Sequence, residues 1–271
     1  MIGFNHLGRH GRLGNQMFQY AGLRGIAANR GFEFAIPPSN FKDEWHDHQL
    51  FEAFKLVGLT NICEVPGPYV GEQYFHYDST LFNTIPDGHN VYAYLQSEKY
   101  FKHIEKEIRE DFTFKNDVVK ACKEMMDTVP NAIALHVRRG DYIENAANHP
   151  PCPKGYYDLA ISQFDDKRTI IIFSDDPEWC GTQFTDDRFL ISEGGDNVAD
   201  LCMMSMCSDF IIANSSFSWW GSWLSENPHK RIIAPDKWFG TGYTKNHNTS
   251  DLYCSNWEVL KHGLCSDRRR S

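Results

Sequence analysis

The stretch from Ala132 to Tyr142 carries the side chains best suited to chemistry. It begins as a short apolar run, which predicts a buried strand, and continues directly into His136-Val137-Arg138-Arg139-Gly140-Asp141. Packing does not require guanidinium groups there, whereas a diphosphate does, because Arg keeps its charge and its planar fork matches phosphate oxygens. Alternation along a strand would point Arg138 and Arg139 to opposite faces. We therefore assign Arg138, which shares a face with His136, to the ligand.

The two residues after the Arg pair complete this motif. Gly140 would let the backbone turn sharply beside a ligand, and Asp141 could hold a guanidinium or a sugar hydroxyl. Two other interpretations remain open: a surface Arg-Asp pair after a strand, and an Arg-Gly-Asp adhesion tripeptide. The second is disfavoured because the tripeptide adjoins a strand end and not a long loop.

A second candidate segment lies near the amino terminus. Residues 2–7 predict a strand, glycines follow at 8, 11 and 14, and residues 15–30 have the apolar spacing of a helix, in which Gly22 and Gly25 permit close approach of a neighbour. The spacing matches neither G-x-G-x-x-G nor a Walker A loop. The amides of Asn15 and Gln16 would face a cleft, although glycines that only make a turn and an Asn that only caps the helix are alternatives.

Beyond Pro130, apolar strands alternate with helices, which predicts a parallel sheet covered on both faces. Predicted strands cover 132–137, 169–173, 188–191, 210–213 and 231–234. Predicted helices lie near 155–164 and 197–207, and a third follows the segment 214–220 and ends near 226, with a polar loop at 140–153. Ligands bind at the carboxyl ends of such strands. Asp175 and the segment from Asn214 to Ser218 follow two of them, and the serines with the free N–H groups of the next helix would suit a phosphate or a hydroxyl. A plain Ser N-cap, with Trp219, Trp220 and Trp223 packing inward, explains only one of the serines.

The intervening region, 32–130, contains few recognisable motifs. Helical spacing appears at 101–109 and 117–126. Aromatic residues are dense between 69 and 101, and could stack on sugars or form core; we assign most of them to the core. They are Tyr69, Tyr74, Phe75, Tyr77, Tyr92, Tyr94, Tyr100 and Phe101. The cluster Trp45-His46-Asp47-His48 is better explained as a solvated turn than as a metal site.

Composition limits the classes of function. A chain of 271 residues can form one large domain or two of ordinary size. Its net charge of -9 argues against a nucleic-acid or anionic-membrane partner, despite a basic Arg268-Arg269-Arg270 tail. No run reaches the length of a membrane span and the first residues lack a signal-peptide pattern, so we expect a cytoplasmic protein without an integral span, while peripheral membrane association stays open. The eight cysteines lack disulfide or zinc spacing and are expected to be mostly reduced.

In combination, four segments resemble the α-1,2-fucosyltransferase family of inverting glycosyltransferases and, more distantly, the protein O-fucosyltransferases and α-1,6-fucosyltransferases. The segments occur in the family's order and are spread over most of the chain: Gly11-Arg12-Leu13-Gly14-Asn15-Gln16-Met17-Phe18-Gln19-Tyr20-Ala21, His136-Val137-Arg138-Arg139-Gly140-Asp141-Tyr142, Phe173-Ser174-Asp175-Asp176-Pro177, and Asn214-Ser215-Ser216-Phe217-Ser218-Trp219-Trp220.

The resemblance implies an α/β, GT-B-like architecture of two Rossmann-like parallel-sheet domains facing a cleft: 1–129 on the acceptor side, and 130–271 binding GDP-fucose, with a C-terminal tail able to cross back. It further implies a terminal galactoside as usual acceptor, no metal and no cofactor; the chain has no D-x-D triplet. It implies that Arg138 holds the β-phosphate, Asp200 the guanine, Ser216, Phe217 and Ser218 the phosphates, and that Asn15 lies near the fucose or the acceptor hydroxyl. Asp141 is a candidate general base or a salt-bridge partner, with Glu144 the other nearby carboxylate. The remaining predicted binding residues are Gly14, Gln16, His136, Arg139, Asp175 and Asn214.

Three other functions stay open. The first is a fucosyltransferase of the same fold acting on a protein or another glycan. The second is a nicotinamide-dependent oxidoreductase, disfavoured by the glycine spacing. The third is a non-catalytic sugar-binding module.

Overall fold

The structure is a computed structural model that describes residues 1–38, 48–192, 196–244 and 246–261. These residues form two compact units. Unit 1 holds residues 1–121 and 246–254, and unit 2 holds residues 122–244 and 255–261. Of the predicted turn at 45–48, only His48 lies in the described ranges, and the basic tail lies outside them. Each unit is built around its own parallel sheet.

Unit 1 contains a five-stranded parallel sheet with the order β3-β2-β1-β5-β4. Its strands are β1 (Ile2–Gly3), β2 (Phe34–Ile36), β3 (Asn61–Ile62), β4 (Tyr69–Gly71) and β5 (Asn90–Tyr92). Its helices are α1 (Leu13–Arg30), α2 (Leu50–Ala53), α3 (Ser79–Thr84) and α4 (Glu105–Asp111), with 3₁₀ turns at Glu98–Tyr100 and Lys102–Ile104. Helix α5 (Asn116–Met126) spans the boundary between the units.

Helix α1 is the buried centre of unit 1. It begins at Leu13, two residues before the predicted start, and ends at Gly31, whose φ of 68° is left-handed. The predicted close approach at Gly25 is confirmed: a Cβ atom there would lie 1.9 Å from the carbonyl oxygen of Tyr100. A glycine is therefore needed where the helix meets the following backbone.

Unit 2 contains a six-stranded parallel sheet with the order β11-β10-β9-β6-β7-β8. Its strands are β6 (Ile133–Val137), β7 (Ile170–Ser174), β8 (Phe189–Ile191), β9 (Asp209–Ile211), β10 (Ile232–Pro235) and β11 (Glu258–Leu260). Its helices are α6 (Gly140–Glu144), α7 (Lys154–Ile161), α8 (Pro177–Gln183), α9 (Asn197–Met206) and α10 (Ser216–Leu224).

The alternation predicted for unit 2 is confirmed, except that helix α8 was not predicted and that two further differences occur. All five residues of β6 are buried, as a central strand covered on both faces requires. The segment predicted as a loop at 140–153 instead starts with α6, and the edge strand β11 was not predicted.

Two further observations concern the described residues. None of their helices combines the length and the apolar character needed to cross a bilayer. All seven cysteines among them are free thiols; Cys63 is exposed and the other six are buried.

Candidate active site

The register of β6 and β7 brings the two arginines and two aspartates of unit 2 together. Val137 pairs with Ser174, so both strands end at the same level and the next two residues of each lie opposite one another. Arg138 Nη1 lies 2.8 Å from Asp175 Oδ2, and Arg139 Nε lies 2.9 Å from Asp176 Oδ2. Two sequence motifs separated by 36 positions thus form one cluster at the carboxyl edge of the sheet.

Arg138 is largely enclosed, with 14% of its side chain exposed. Besides Asp175, its guanidinium contacts Asp141 and lies over the Tyr142 ring, 5.2 Å from the centroid. The hydroxyl of Tyr142 donates to the Asn214 carbonyl at 3.2 Å, which fixes that ring. Two carboxylate contacts do not use all five N–H donors of a guanidinium, so phosphate oxygens could still be bound. Of the two roles that the sequence analysis left open for Asp141, the structure shows the salt-bridge partner of Arg138.

At position 140 of this cluster there is no room for a side chain, so a glycine is needed. A Cβ atom on Gly140 would lie 2.5 Å from Asp175 Oδ2, the oxygen that pairs with Arg138. The other Asp175 oxygen, Oδ1, accepts the Arg139 backbone N–H at 2.8 Å. A side chain at 140 would push this carboxylate away from both arginines.

Arg139 points towards α8. Its guanidinium lies 4.0 Å from the centre of the Trp179 ring, in addition to its ion pair with Asp176. Asp176 also accepts the Trp179 N–H at 3.1 Å and so caps α8. These contacts anchor the strand end to the helix, and a direct role for Arg139 in ligand binding stays a prediction.

His136 links β6 to the start of α10. Its Nδ1 lies 2.9 Å from Ser218 Oγ, and both side chains are buried. Burial, helped by the charge of Arg138, lowers the pKa of His136 to about 3, so the imidazole is neutral at physiological pH. Its ring also packs against Phe217, with centroids 5.5 Å apart. The buried imidazole thus fixes the distance between the Arg138 strand end and the α10 N-terminus.

The N-terminus of α10 is held rigidly. Ser215 is the N-cap and its hydroxyl accepts the Phe217 N–H at 3.3 Å, while Ser216 and Phe217 are half-buried. The expected inward packing of Trp219, Trp220 and Trp223 is confirmed by exposures of 5% or less. A helix start with this order offers preoriented N–H groups to an anion.

Asn214 and Asp200 have protein partners of their own. The Asn214 amide donates to the carbonyls of Pro150 (3.0 Å) and Trp238 (2.9 Å) and accepts from the Cys152 thiol. Asp200, in the first turn of α9, accepts the Ser192 hydroxyl at 2.6 Å, and burial raises its pKa. The contacts of Asn214 hold the loop before α10 in place. Asp200 sits near the end of β8, where its predicted contact with guanine stays a prediction.

The predicted residues of unit 1 surround the loop before α1. Gly8 and Gly11 have φ values of +87° and +86°, which only glycine adopts easily, and Gly14 is buried. Gln16 was expected to face a cleft, but it is fully buried: its amide donates to Gly11 O (3.3 Å) and accepts from Gln49 N–H (3.0 Å). Gln16 therefore holds the loop.

Asn15 stands in the first turn of α1 and is not its cap, because the N-cap residue is Arg12. Its Oδ1 accepts from the Gln96 amide at 2.9 Å.

The assignment of most aromatic residues between 69 and 101 to the core was wrong. Only Tyr100 and Phe101 are fully buried, whereas four of the eight are 45–56% exposed: Tyr69, Tyr74, Tyr92 and Tyr94. No local pattern marks these rings as exposed, because the strands here are three residues long and β5 ends at Tyr92, which leaves too few positions for an alternation. Tyr142 was also not singled out as a site residue, although it supports Arg138.

The sequence and the fold are similar to those of known glycosyltransferases. The family model described as "Glycosyl transferase family 11" matches residues 1–261. An α-1,2-colitosyltransferase of Escherichia coli is 30% identical over 271 aligned positions, covering 84% of this chain and 90% of that protein. The galactoside 2-α-L-fucosyltransferase Sec1 of Mus musculus is 25% identical over 79% of this chain, which spans only 62% of the mouse protein.

Among solved structures, the NodZ α-1,6-fucosyltransferase of Bradyrhizobium, soaked with GDP-fucose, superposes with a TM-score of 0.54 at 14% identity, covering 87% of this chain and 94% of that one. The likeness confirms the expected α/β, GT-B-like fold built from two parallel sheets. With a family model matching nearly its whole length, this chain belongs to glycosyltransferase family 11.

Proposed function

We propose that this protein transfers L-fucose from GDP-fucose to the 2-hydroxyl of a terminal β-galactoside, with inversion at the anomeric carbon. Family membership supports glycosyl transfer, and the relatives named as galactoside fucosyltransferases support the donor and acceptor. The observation that carries the proposal is the enclosed Arg138 guanidinium, coupled through the buried His136–Ser218 contact to the start of α10.

In the proposed reaction, the acceptor hydroxyl attacks fucose C1 and the bond to the β-phosphate oxygen of GDP breaks. Negative charge develops on the leaving GDP, and Arg138 would stabilise it, together with the positive end of the α10 dipole, where Ser216, Phe217 and Ser218 lie. Asp175 keeps Arg138 in position through a pairing that Arg139 N–H reinforces. Asp200 would accept hydrogen bonds from the guanine edge.

The proton of the acceptor hydroxyl must leave during attack. We retain Asp141 as a candidate base because 57% of its side chain is exposed, although it contacts Arg138. Asn15 on unit 1 is retained as a group that orients the fucose or the acceptor hydroxyl. No metal or cofactor is part of the proposal.

The test is transfer from GDP-fucose to lactose, with fucosyllactose and GDP as the measured products. Arg138→Ala should lower kcat roughly 10²- to 10³-fold, the scale for losing one preorganised electrostatic donor. Arg188→Ala removes another unit 2 arginine, which covers the Phe189 ring and donates to the Asp165 carbonyl at 3.4 Å, and should leave transfer unchanged. Full turnover in Arg138→Ala would refute the assignment.

A second candidate function differs only in the donor sugar. The E. coli relative is named as a colitosyltransferase, and it matches more of this chain than the mouse protein does. Offering GDP-fucose and GDP-colitose in parallel separates the two, because the better donor gives the higher kcat/KM.

A further inference from the structure

A cavity of about 370 Å³ lies within unit 1, and its lining includes none of the unit 2 residues discussed for the donor. Its walls come from the segments that follow the carboxyl ends of β4 and β5, together with three other residues: Gly71–Phe75, 92–94, His10, Asn246 and His247. That volume is within the range of small-molecule sites. The carboxyl edge of a parallel sheet is also where such sites occur.

The cavity is walled by tyrosine rings that the core does not need. Tyr74, Tyr92 and Tyr94 are 56%, 47% and 45% exposed. Tyr92 is held edge-on by the rings of His6 and His10, at centroid distances of 5.4 and 4.9 Å, and Tyr74 stacks on His76 at 5.0 Å. Rings that are fixed in this way present an apolar face and a polar tip without a further loss of side-chain entropy on binding.

One carboxylate, that of Glu72, lines the same cavity. Its Oε2 accepts the Tyr94 N–H at 2.9 Å, and its Oε1 accepts the Leu95 N–H and the Tyr100 hydroxyl, both at 3.2 Å. A carboxylate has about four acceptor positions, so one stays available on Oε2. A ligand hydroxyl is the natural donor for it.

The charge of the lining residues selects the ligand class. Among the described residues that line the cavity there is one carboxylate but neither Lys nor Arg, which favours an uncharged ligand over a diphosphate. A neutral polyol with apolar C–H faces and several hydroxyl groups matches tyrosine rings beside a carboxylate. Carbohydrates are the ligands with this combination.

We propose that this unit 1 cavity binds the terminal sugar of a neutral glycan acceptor, with Tyr74 and Tyr92 against the sugar faces and Glu72 accepting one of its hydroxyls. That the bound sugar is the acceptor rests on the proposed function. That a sugar binds in this cavity rests on the cavity's own residues.

The experiment measures steady-state transfer with lactose varied, and lactose binding by saturation-transfer NMR on the full chain. Tyr92→Ala and Tyr74→Ala should each raise the KM for lactose roughly 3- to 15-fold, the scale of one lost aromatic contact. Their KM for GDP-fucose should change less than about twofold. Glu72→Gln should raise the lactose KM as well.

Two matched variants guard against misfolding. Tyr92→Phe keeps the ring and should keep the wild-type lactose KM. Ile62→Ala removes another exposed apolar side chain of unit 1, 53% exposed and outside the cavity lining, and should behave as wild type.

The outcomes separate this inference from the proposed function. An unchanged lactose KM in both alanine variants, with transfer intact, overturns the inference and leaves the function standing. If the wild type neither binds GDP nor consumes GDP-fucose, the proposed function fails; a lactose NMR signal that Tyr92→Ala abolishes would still support the sugar site. Absence of a lactose signal from an active wild type at saturating lactose would overturn it.

Discussion

Arg138 lies between two carboxylates that are held very differently. Asp175 is fixed by the Arg139 backbone N–H and by the lack of space at Gly140, whereas Asp141 is mostly exposed. An incoming phosphate would compete for the guanidinium more easily with Asp141 than with Asp175, because the exposed ion pair is the weaker one. In the proposed reaction Asp175 would therefore keep Arg138 in position, and Asp141 would become available as the donor binds.

His136 provides a prediction on pH. Burial lowers its folded-state pKa to about 3, below the ordinary value of 6.5. Above pH 6.5 the imidazole is neutral in both states and contributes nothing to pH dependence. As the pH falls from 6.5 towards 3, His136 binds a proton in the unfolded chain but not in the folded one. The free energy of unfolding therefore falls by at most about 1.4 kcal/mol per pH unit because of this group.

The variant His136→Asn keeps a polar atom near Ser218 and cannot titrate. Its free energy of unfolding, measured by urea denaturation at pH 7.5, 6 and 5, should fall less steeply with pH than that of the wild type. Identical pH slopes for the two proteins would contradict a neutral buried imidazole.

At the level of elements, tight backbone contacts decide how helices are placed. The Cβ position of Gly25 on α1 overlaps the Tyr100 carbonyl oxygen at 1.9 Å, while Gly155 on α7 has no neighbouring atom within 4 Å. Both glycines are helical, so an alanine should gain up to about 1 kcal/mol of helix propensity at either. Only the first must also displace the backbone of another segment.

Gly25→Ala should therefore destabilise the protein by about 1–3 kcal/mol, and Gly155→Ala should leave it equal or slightly more stable. The midpoints of urea unfolding at constant m-value measure both. Gly25→Ala as stable as the wild type would mean that α1 can move away from the Tyr100 turn at little cost.

Across the whole molecule, negative charge prevails, with 36 acidic against 27 basic side chains. A diphosphate must therefore find its positive charge locally, and in the proposed site it finds Arg138 and the N–H groups at the start of α10. We expect the transfer rate to stay within about twofold of its normal value after EDTA treatment. A rate abolished by EDTA and restored by Mn²⁺ would contradict this prediction.

Much of unit 2 could be predicted from sequence because its signals are local. A run such as Ile133–Val137, apolar at every position, is compatible with a strand buried on both faces, and a serine before a helix is a cap wherever the helix lies. The parallel order then places the polar residues after each strand at one edge, as predicted for Arg138 and Asp175, whereas their direct ion pair is seen only in the structure.

Unit 1 was less predictable because its signals are short or nonlocal. Strands of two or three residues, such as Ile2–Gly3 and Asn61–Ile62, carry too few positions for a periodicity. Whether Tyr92 or Tyr100 is buried depends on which segments pack over each ring, and the sequence does not record that.

By itself, then, the sequence determined the family, the alternation of unit 2 and the residue types of the proposed donor site, because each depends on residues that are neighbours in the chain. Only the tertiary structure decided that Gly140 is needed for a carboxylate 35 positions away, that Gln16 is buried, and that four tyrosines are left exposed. Each of these depends on space and burial, which arise from contacts between residues distant in the chain.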